Sequence, residues 1–269
     1  MNDRESPPQS SGAPETADFD RRNFLKKSLP CSLVLIALAK DAGSDTGKPE
    51  APAKLPGYNA FDHTYGMGVD PARCIGCGRC AEACKAENDV PREPIYFRTW
   101  IERYVIRAGE ETSVTSPNGG IDGFPQVNET QILRTFFVPK LCNHCANPPC
   151  VQVCPVGATF STPDGVVLVD QKYCLGCRYC IQACPYGVRF LHPVTRTAEK
   201  CTFCYHRVVQ GLAPACVEVC PTQARIFGDV KSAASPLTRF MRQNKIQTLK
   251  PHLNTEPRVV YANLDGEVR

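Results

Sequence analysis

At 269 residues with a formal net charge of +4, the chain is long enough for one or two domains and too weakly basic to argue for nucleic acid as a partner. Hydrophobic residues make up 42% and aromatic ones 8%, while 24 prolines, 19 glycines and 17 cysteines indicate a loop-rich protein in which bound metal replaces part of the apolar core. No run of 18 or more apolar residues occurs, which excludes a transmembrane helix of ordinary length.

Near the start, Asp20-Arg21-Arg22-Asn23-Phe24-Leu25-Lys26 resembles the twin-arginine export signal, S/T-R-R-x-F-L-K, at every position but the first. The apolar stretch Ser28 to Ala39 is too short to span a bilayer and suits a signal h-region, with Ala37-Leu38-Ala39 as a small-x-small cleavage site. Residues 1–39 are therefore expected to be a signal peptide and the mature chain to be periplasmic. The alternative is a basic flank on a short amphipathic or anchoring helix. Twin-arginine export carries folded proteins, so it spares free thiols an unfolded passage into an oxidising compartment. Cys31 lies inside the h-region, and Pro30 before it argues against a lipid-acceptor site. Residues 40–64 carry Gly, Pro and Lys without periodicity and read as a linker.

Tyr65 to Asp70 is expected as a strand leading into the first cysteine motif, Cys74, Cys77, Cys80 and Cys84, spaced C-x2-C-x2-C-x3-C. Ala81 to Asn88 continues as a helical turn or two. Residues 95–107 are rich in β-branched and aromatic types and predict a strand; Pro117 to Gly123 is turn material, and Gln131 to Val138 returns, giving an extended hairpin. Trp100 in it reads as a packing residue. The second motif is Cys142, Cys145, Cys150 and Cys154, followed by Pro155. Ala158 to Asp170 is a hairpin turning at Pro163-Asp164-Gly165. The third motif, Cys174, Cys177, Cys180 and Cys184, repeats the spacing of the first and precedes Pro185. The fourth is Cys201, Cys204, Cys216 and Cys220, then Pro221. Ala224 to Gly228 predicts a strand, Ser235 to Gln247 a helix of weak periodicity, and Arg258 to Leu264 a last strand or an extended arm. The fold class is α+β.

The motifs use sixteen of the 17 cysteines, enough for four [4Fe–4S] clusters with none left over. Three cysteines at x2 intervals wrap one cluster, and the fourth ligates the other cluster of a pair. That fourth cysteine is expected at the start of a short helix, with the proline after it in the helix's first turn. Four-cysteine zinc sites are the main alternative, but those come as two separated pairs. Disulfide frameworks belong to small secreted domains. The crossing makes the motifs work in pairs, yet spacing leaves nested and sequential pairing equally open.

Arg73, Arg79, Lys85, Lys140, Lys172, Arg178, Arg189 and Lys200 flank the motifs and are candidates for offsetting cluster charge, or are ordinary solvated charges. His144 is a candidate donor to sulfur, or a loop residue. His63, His192, His206 and His252 have no ligand spacing. No G-x-S-x-G, Rossmann glycine run or H-E-x-x-H occurs, so catalytic residues are expected to be none.

From Tyr65 to Leu264 the chain resembles the four-cluster iron–sulfur subunits of complex iron–sulfur molybdoenzymes, those serving tetrathionate, nitrite, polysulfide and dimethyl sulfoxide reduction. The resemblance is carried by LCNHCANPPCVQVCP at 141–155, CLGCRYCIQACPY at 174–186, KCTFC at 200–204 and PACVEVCP at 214–221. It implies two nested bacterial 2×[4Fe–4S] ferredoxin-like units with β-hairpin insertions: an outer unit of residues 65–138 and 185–250, an inserted unit of 139–184, and a C-terminal arm of 251–269. It implies four ligand sets. One is Cys74, Cys77, Cys80 and Cys220; a second is Cys201, Cys204, Cys216 and Cys84. A third is Cys142, Cys145, Cys150 and Cys184; a fourth is Cys174, Cys177, Cys180 and Cys154. Lys85 stands where the other motifs have proline, a local change that loses no ligand. The implied function is electron transfer between a polytopic quinone-reactive membrane subunit and a molybdopterin subunit or multihaem cytochrome. A molybdenum-free sulfur-metabolism complex is the other assembly in view.

Overall fold

The computed structural model describes residues 54–109, 111–128 and 131–268; the twin-arginine segment, the apolar stretch, Cys31 and most of the expected linker lie outside them. Helices and strands are mixed, as an α+β chain requires.

Strand β1 (Tyr65–Val69) anchors a four-stranded sheet in the order β10-β11-β1-β9, where β9 is Arg225–Asp229, β10 Ile246–Gln247 and β11 Val259–Ala262. The alternation Tyr-Gly-Met-Gly-Val explains its placement. Tyr65, Met67 and Val69 enter the core, and the glycines leave the other face bare for helix α6 (Pro236–Gln243). A Cβ on Gly68 would sit 2.6 Å from the Phe240 ring. Leu237 and Phe240, one helical turn apart, are the two buried residues of α6.

Of the last strand or extended arm expected from Arg258 to Leu264, it is the strand that forms, built into this sheet. β11 runs parallel to β1 and antiparallel to β10, and all four of its residues are buried. The apolar run Val259-Val260-Tyr261-Ala262 thus has a strand on each side. Just before it, Arg258 N donates to Asn143 O at 2.9 Å and Ala146 N to Glu256 O at 2.8 Å, tying the C-terminal segment to the second cysteine loop.

The predicted hairpin between the first two motifs is present: β2 (Thr99–Arg107) pairs antiparallel with β4 (Ile132–Leu141), with short β3 (Ser113–Thr115) on its other edge. β2 starts at Thr99 rather than 95. Lys85 accounts for the difference, since its Nζ donates to the carbonyls of Pro91, Arg92 and Glu93 and folds this segment into a loop. The hairpin β5 (Thr159–Ser161) and β6 (Val167–Val169) turns where the sequence places it, and a smaller pair, β7 (Phe190–Leu191) and β8 (Ala198–Glu199), follows the third motif.

The helices within the motifs correct one expectation. α1 (Arg79–Glu87), α2 (Pro149–Gln152), α3 (Tyr179–Gln182) and α5 (Ala215–Glu218) each carry the third cysteine of their motif near the start. In α2, α3 and α5 the fourth cysteine lies beyond the helix end, and the proline after it follows the helix rather than opening one. α1 has Lys85 at that position, keeps its N–H, and runs through Cys84 to nine residues. The remaining helix, α4 (Tyr205–Val208), follows Cys204.

Candidate metal centres

The motif loops turn backbone N–H groups onto sulfur. Two residues beyond the first cysteine of a motif, His144 N lies 3.5 Å from Cys142 Sγ and Phe203 N 3.4 Å from Cys201 Sγ. Both residues have positive φ, 42° and 55°. At the other end of the motifs, Thr159 N is 3.4 Å from Cys154 Sγ and Ala224 N 3.3 Å from Cys220 Sγ. Glycine supplies the left-handed turn in the first and third motifs: a Cβ on Gly176, at φ 68°, would stand 2.4 Å from Arg196 O.

Two sets of predicted cysteines converge on cavities. Cys142, Cys145, Cys150 and Cys184 line one small cavity, and Cys84, Cys201, Cys204 and Cys216 line another. In each, one cysteine comes from a different motif than the rest. Cys74 is close enough to Cys80 and Cys220 for their charges to act on it, though burial is the main cause that pushes its thiol up to about 11. The contact of α2 with α3 brings the helix that carries Cys180 against the one that precedes Cys154. No disulfide joins any of the sixteen described cysteines.

The charges of Cys80 and Cys142 bear on Cys216 and Cys201 respectively, so the second set neighbours the first and the third. Among the sixteen, only Cys77 and Cys177 are exposed. Beside them Ile75 and Leu175 are 59% and 72% exposed, so the first and fourth sets each open to the surface.

Two stretches match the family described as the 4Fe-4S dicluster domain, residues 73–158 and 133–230. A tetrathionate reductase subunit of Salmonella typhimurium is 41% identical over 254 residues, 92% of this chain and 90% of the relative. The chain belongs to the four-cluster iron–sulfur subunits of the complex iron–sulfur molybdoenzyme family. Protein NrfC of Escherichia coli is 42% identical over 72% of this chain and 78% of its own length. A putative dimethyl sulfoxide reductase iron-sulfur subunit of Halobacterium salinarum is 38% identical over 74% and 79%. Two dicluster domains give this family member four [4Fe–4S] clusters.

The residues present fit that cofactor. Asn143 lines the cavity of the third set, is 1% exposed, and neither polar atom of its carboxamide has a partner among the described residues. A buried amide left orphaned costs about 1–3 kcal/mol, and cluster sulfur would accept its N–H. Arg189 Nη2 already lies 3.1 Å from Cys150 Sγ. A single tetrahedral ion with bonds of about 2.3 Å to sulfur would need four thiols drawn close together. Among the described residues no three Cys, His, Asp or Glu side chains are so placed.

Burial pushes the thiols of Cys145, Cys201 and Cys216 up to about 12, and that of Cys84 well up. Such sites accept thiolate only with positive charge at hand. For Cys154 burial also acts upward, but the N–H groups of Thr159, Val156 and Ala158 prevail and its thiol is lowered.

Of the eight cations singled out by sequence, Arg189 and Lys200 are the ones buried against thiols. Arg73 pairs with Asp70 and Lys140 with Glu102, Lys85 holds its loop, and Arg79, Lys172 and Arg178 are exposed. Arg225 is missing from those eight and belongs with the first two: it is buried, donates to Thr99 Oγ1 at 2.7 Å, and lies 3.9 Å from Cys216 Sγ. A repeat could have revealed it, because Cys184-Pro-x3-Arg189 and Cys220-Pro-x3-Arg225 share one spacing.

His144 is a packing residue. Its ring stacks on Phe203 at 3.7 Å, and its Nδ1 accepts Val167 N–H at 3.1 Å. Burial, then the charges of Lys200, Arg258 and Arg189, hold it neutral by pulling its pKa well down. Trp100 packs against the core and donates from Nε1 to Glu102.

Proposed function

We propose that this chain is a non-catalytic, periplasmic electron-transfer subunit, passing single electrons along four clusters between a polytopic quinone-reactive membrane subunit and a molybdopterin subunit or multihaem cytochrome. The ligand sets are Cys74, Cys77, Cys80 and Cys220; Cys201, Cys204, Cys216 and Cys84; Cys142, Cys145, Cys150 and Cys184; and Cys174, Cys177, Cys180 and Cys154. The unit of residues 139–184 is inserted within the unit of 65–138 and 185–250.

What carries this reading is the crossing: Cys84 lines a cavity with Cys201, Cys204 and Cys216, and Cys184 lines one with Cys142, Cys145 and Cys150. Sequential pairing would set Cys84 beside the second motif instead. When bound, a [4Fe–4S] cluster supplies reversible one-electron storage at a potential set by charge, burial and hydrogen bonds to sulfur. The chain's part is to hold, insulate and tune. Buried thiols exclude water at the inner sets, and backbone N–H groups offset thiolate charge. Exposed Cys77 and Cys177 fit entry and exit at opposite ends of a row running from the first set through the second and third to the fourth. Four protein ligands per cluster leave no iron open to substrate.

Among the described residues no helix is long and apolar enough to cross a membrane, which suits attachment through a partner. The periplasmic assignment rests on Asp20 to Lys26. Replacing Arg21 and Arg22 by Lys is expected to retain the protein in the cytoplasm, and undisturbed export would refute it. The ligand sets are tested by iron counts on paired cysteine variants. Cys84→Ser with Cys201→Ser should lose one cluster, about 4 irons, no more than either alone. Loss of about 8 would mean the two cysteines serve different clusters.

A further inference from the structure

Three cations are buried in the row, and each falls at a different junction. Arg225 stands opposite Val69 in the sheet, directly after Ala224, whose N–H donates to Cys220 Sγ of the first set, and its Nη1 lies 3.9 Å from Cys216 Sγ of the second. Lys200 is buried beside Cys201 of the second set, where its Nζ donates to Cys201 O at 2.7 Å and to Val167 O, and Val167 lines the cavity of the third set with Cys142 and Cys150. Arg189 donates to Cys150 Sγ of the third set and to Thr159 Oγ1 at 3.4 Å, and Thr159 N in turn donates to Cys154 Sγ of the fourth. Among the described residues none of the three has a carboxylate as a hydrogen-bond or ion-pair partner, so thiols are what their charge answers.

We propose that Arg225, Lys200 and Arg189 are junction cations, each placing one positive charge between two consecutive clusters so that the potentials of those two clusters are raised together. The proposal rests on the ligand sets above. A cluster held by four thiolates is anionic, and reduction adds one further negative charge to it with no proton moved. An unscreened cation buried between two such groups favours the reduced form of both. It also lessens the repulsion between neighbours reduced at once. Their burial keeps salt from screening this effect, unlike that of exposed Arg178.

The test is a redox titration of the full, anaerobically prepared chain, followed by electron paramagnetic resonance, with about 16 irons verified first. Lys200→Met, Arg189→Met and Arg225→Met should each move two of four midpoint potentials downward. Each shift should be about tenfold in the reduced-to-oxidised ratio, ~59 mV for one electron. Lys200→Met should share one shifted cluster with each of the others, which share none between them. Arg178→Met should move nothing. Lys200→Arg and Arg189→Lys, which keep the charge, should stay near the wild type and also show whether the positions tolerate change. Full iron with unmoved potentials, one or four moved together, or equal shifts in the Lys and Met variants of Arg189 would overturn the proposal. Iron loss in all three Met variants with normal potentials in the charge-keeping ones would likewise contradict it, making the cations scaffold. A wild-type count far below 16 would instead reject the ligand sets.

Discussion

Lys85 Nζ lies 4.1 Å above the Phe97 ring while it donates to the carbonyls of Pro91, Arg92 and Glu93 at 2.9, 3.2 and 2.9 Å. One side chain therefore closes the loop between α1 and β2. Lys85→Met should lower stability by about 1.5–3 kcal/mol, the cost of a lost charge-assisted bond, with iron content unchanged. Lys85→Pro, which restores the residue found in the other three motifs, should do worse, about 3 kcal/mol or more, because it sits inside α1. Thermal melting of loaded protein compares them; a neutral Pro variant would contradict this.

Asn143 makes a second prediction. Asn143→Leu removes the orphaned carboxamide and should speed cluster loss to a chelator about tenfold, the weight of one hydrogen bond near charge. The loss should concern one cluster of four. An unchanged rate would mean the amide faces away from the cofactor.

The third prediction uses two glycines in the left-handed region. Gly176 has φ 68° and Arg196 O against it, while Gly187 has φ 63° and nothing within 4 Å. Gly187→Ala should cost about 1–2 kcal/mol in backbone strain alone. Gly176→Ala should displace the third motif and reduce iron by about 4 per chain. Equal effects would show that the close approach is not what matters.

Much of this was legible in the sequence, and the failures have physical causes. Cysteine spacing marked the four motif loops and the cofactor they imply, and Tyr65 to Val69, with glycine at alternate positions, announced its strand. β11 was left between strand and arm because a run of four apolar residues does not say how many neighbours it has. Proline after Cys154, Cys184 and Cys220 was misplaced at a helix start, since its fixed φ suits the end of a turn as well as a beginning. Arg225 escaped because a guanidinium five residues past its cysteine reaches back to the thiols only once the turn has formed.

The pH dependence has a definite sign at the edge of the first sheet. Burial would raise Asp229, but donation from Thr64 N, the His63 ring and Lys231 N prevails and holds its carboxyl below the ordinary range. A carboxylate so lowered stabilises the fold above the unfolded value of about 3.9, and this is lost as pH falls through the lowered one. Asp229→Asn should therefore melt earlier than wild type at pH about 7, with the gap closing below about 4. A gap that widens in acid would reverse the assignment.

Iron and acid-labile sulfide, counted per chain on protein purified without oxygen, probe the ligand architecture most directly. Four full cubanes predict about 16 of each, with the thiols unoxidised. A folded chain that holds zinc, or no metal, or disulfides among these cysteines, would contradict it.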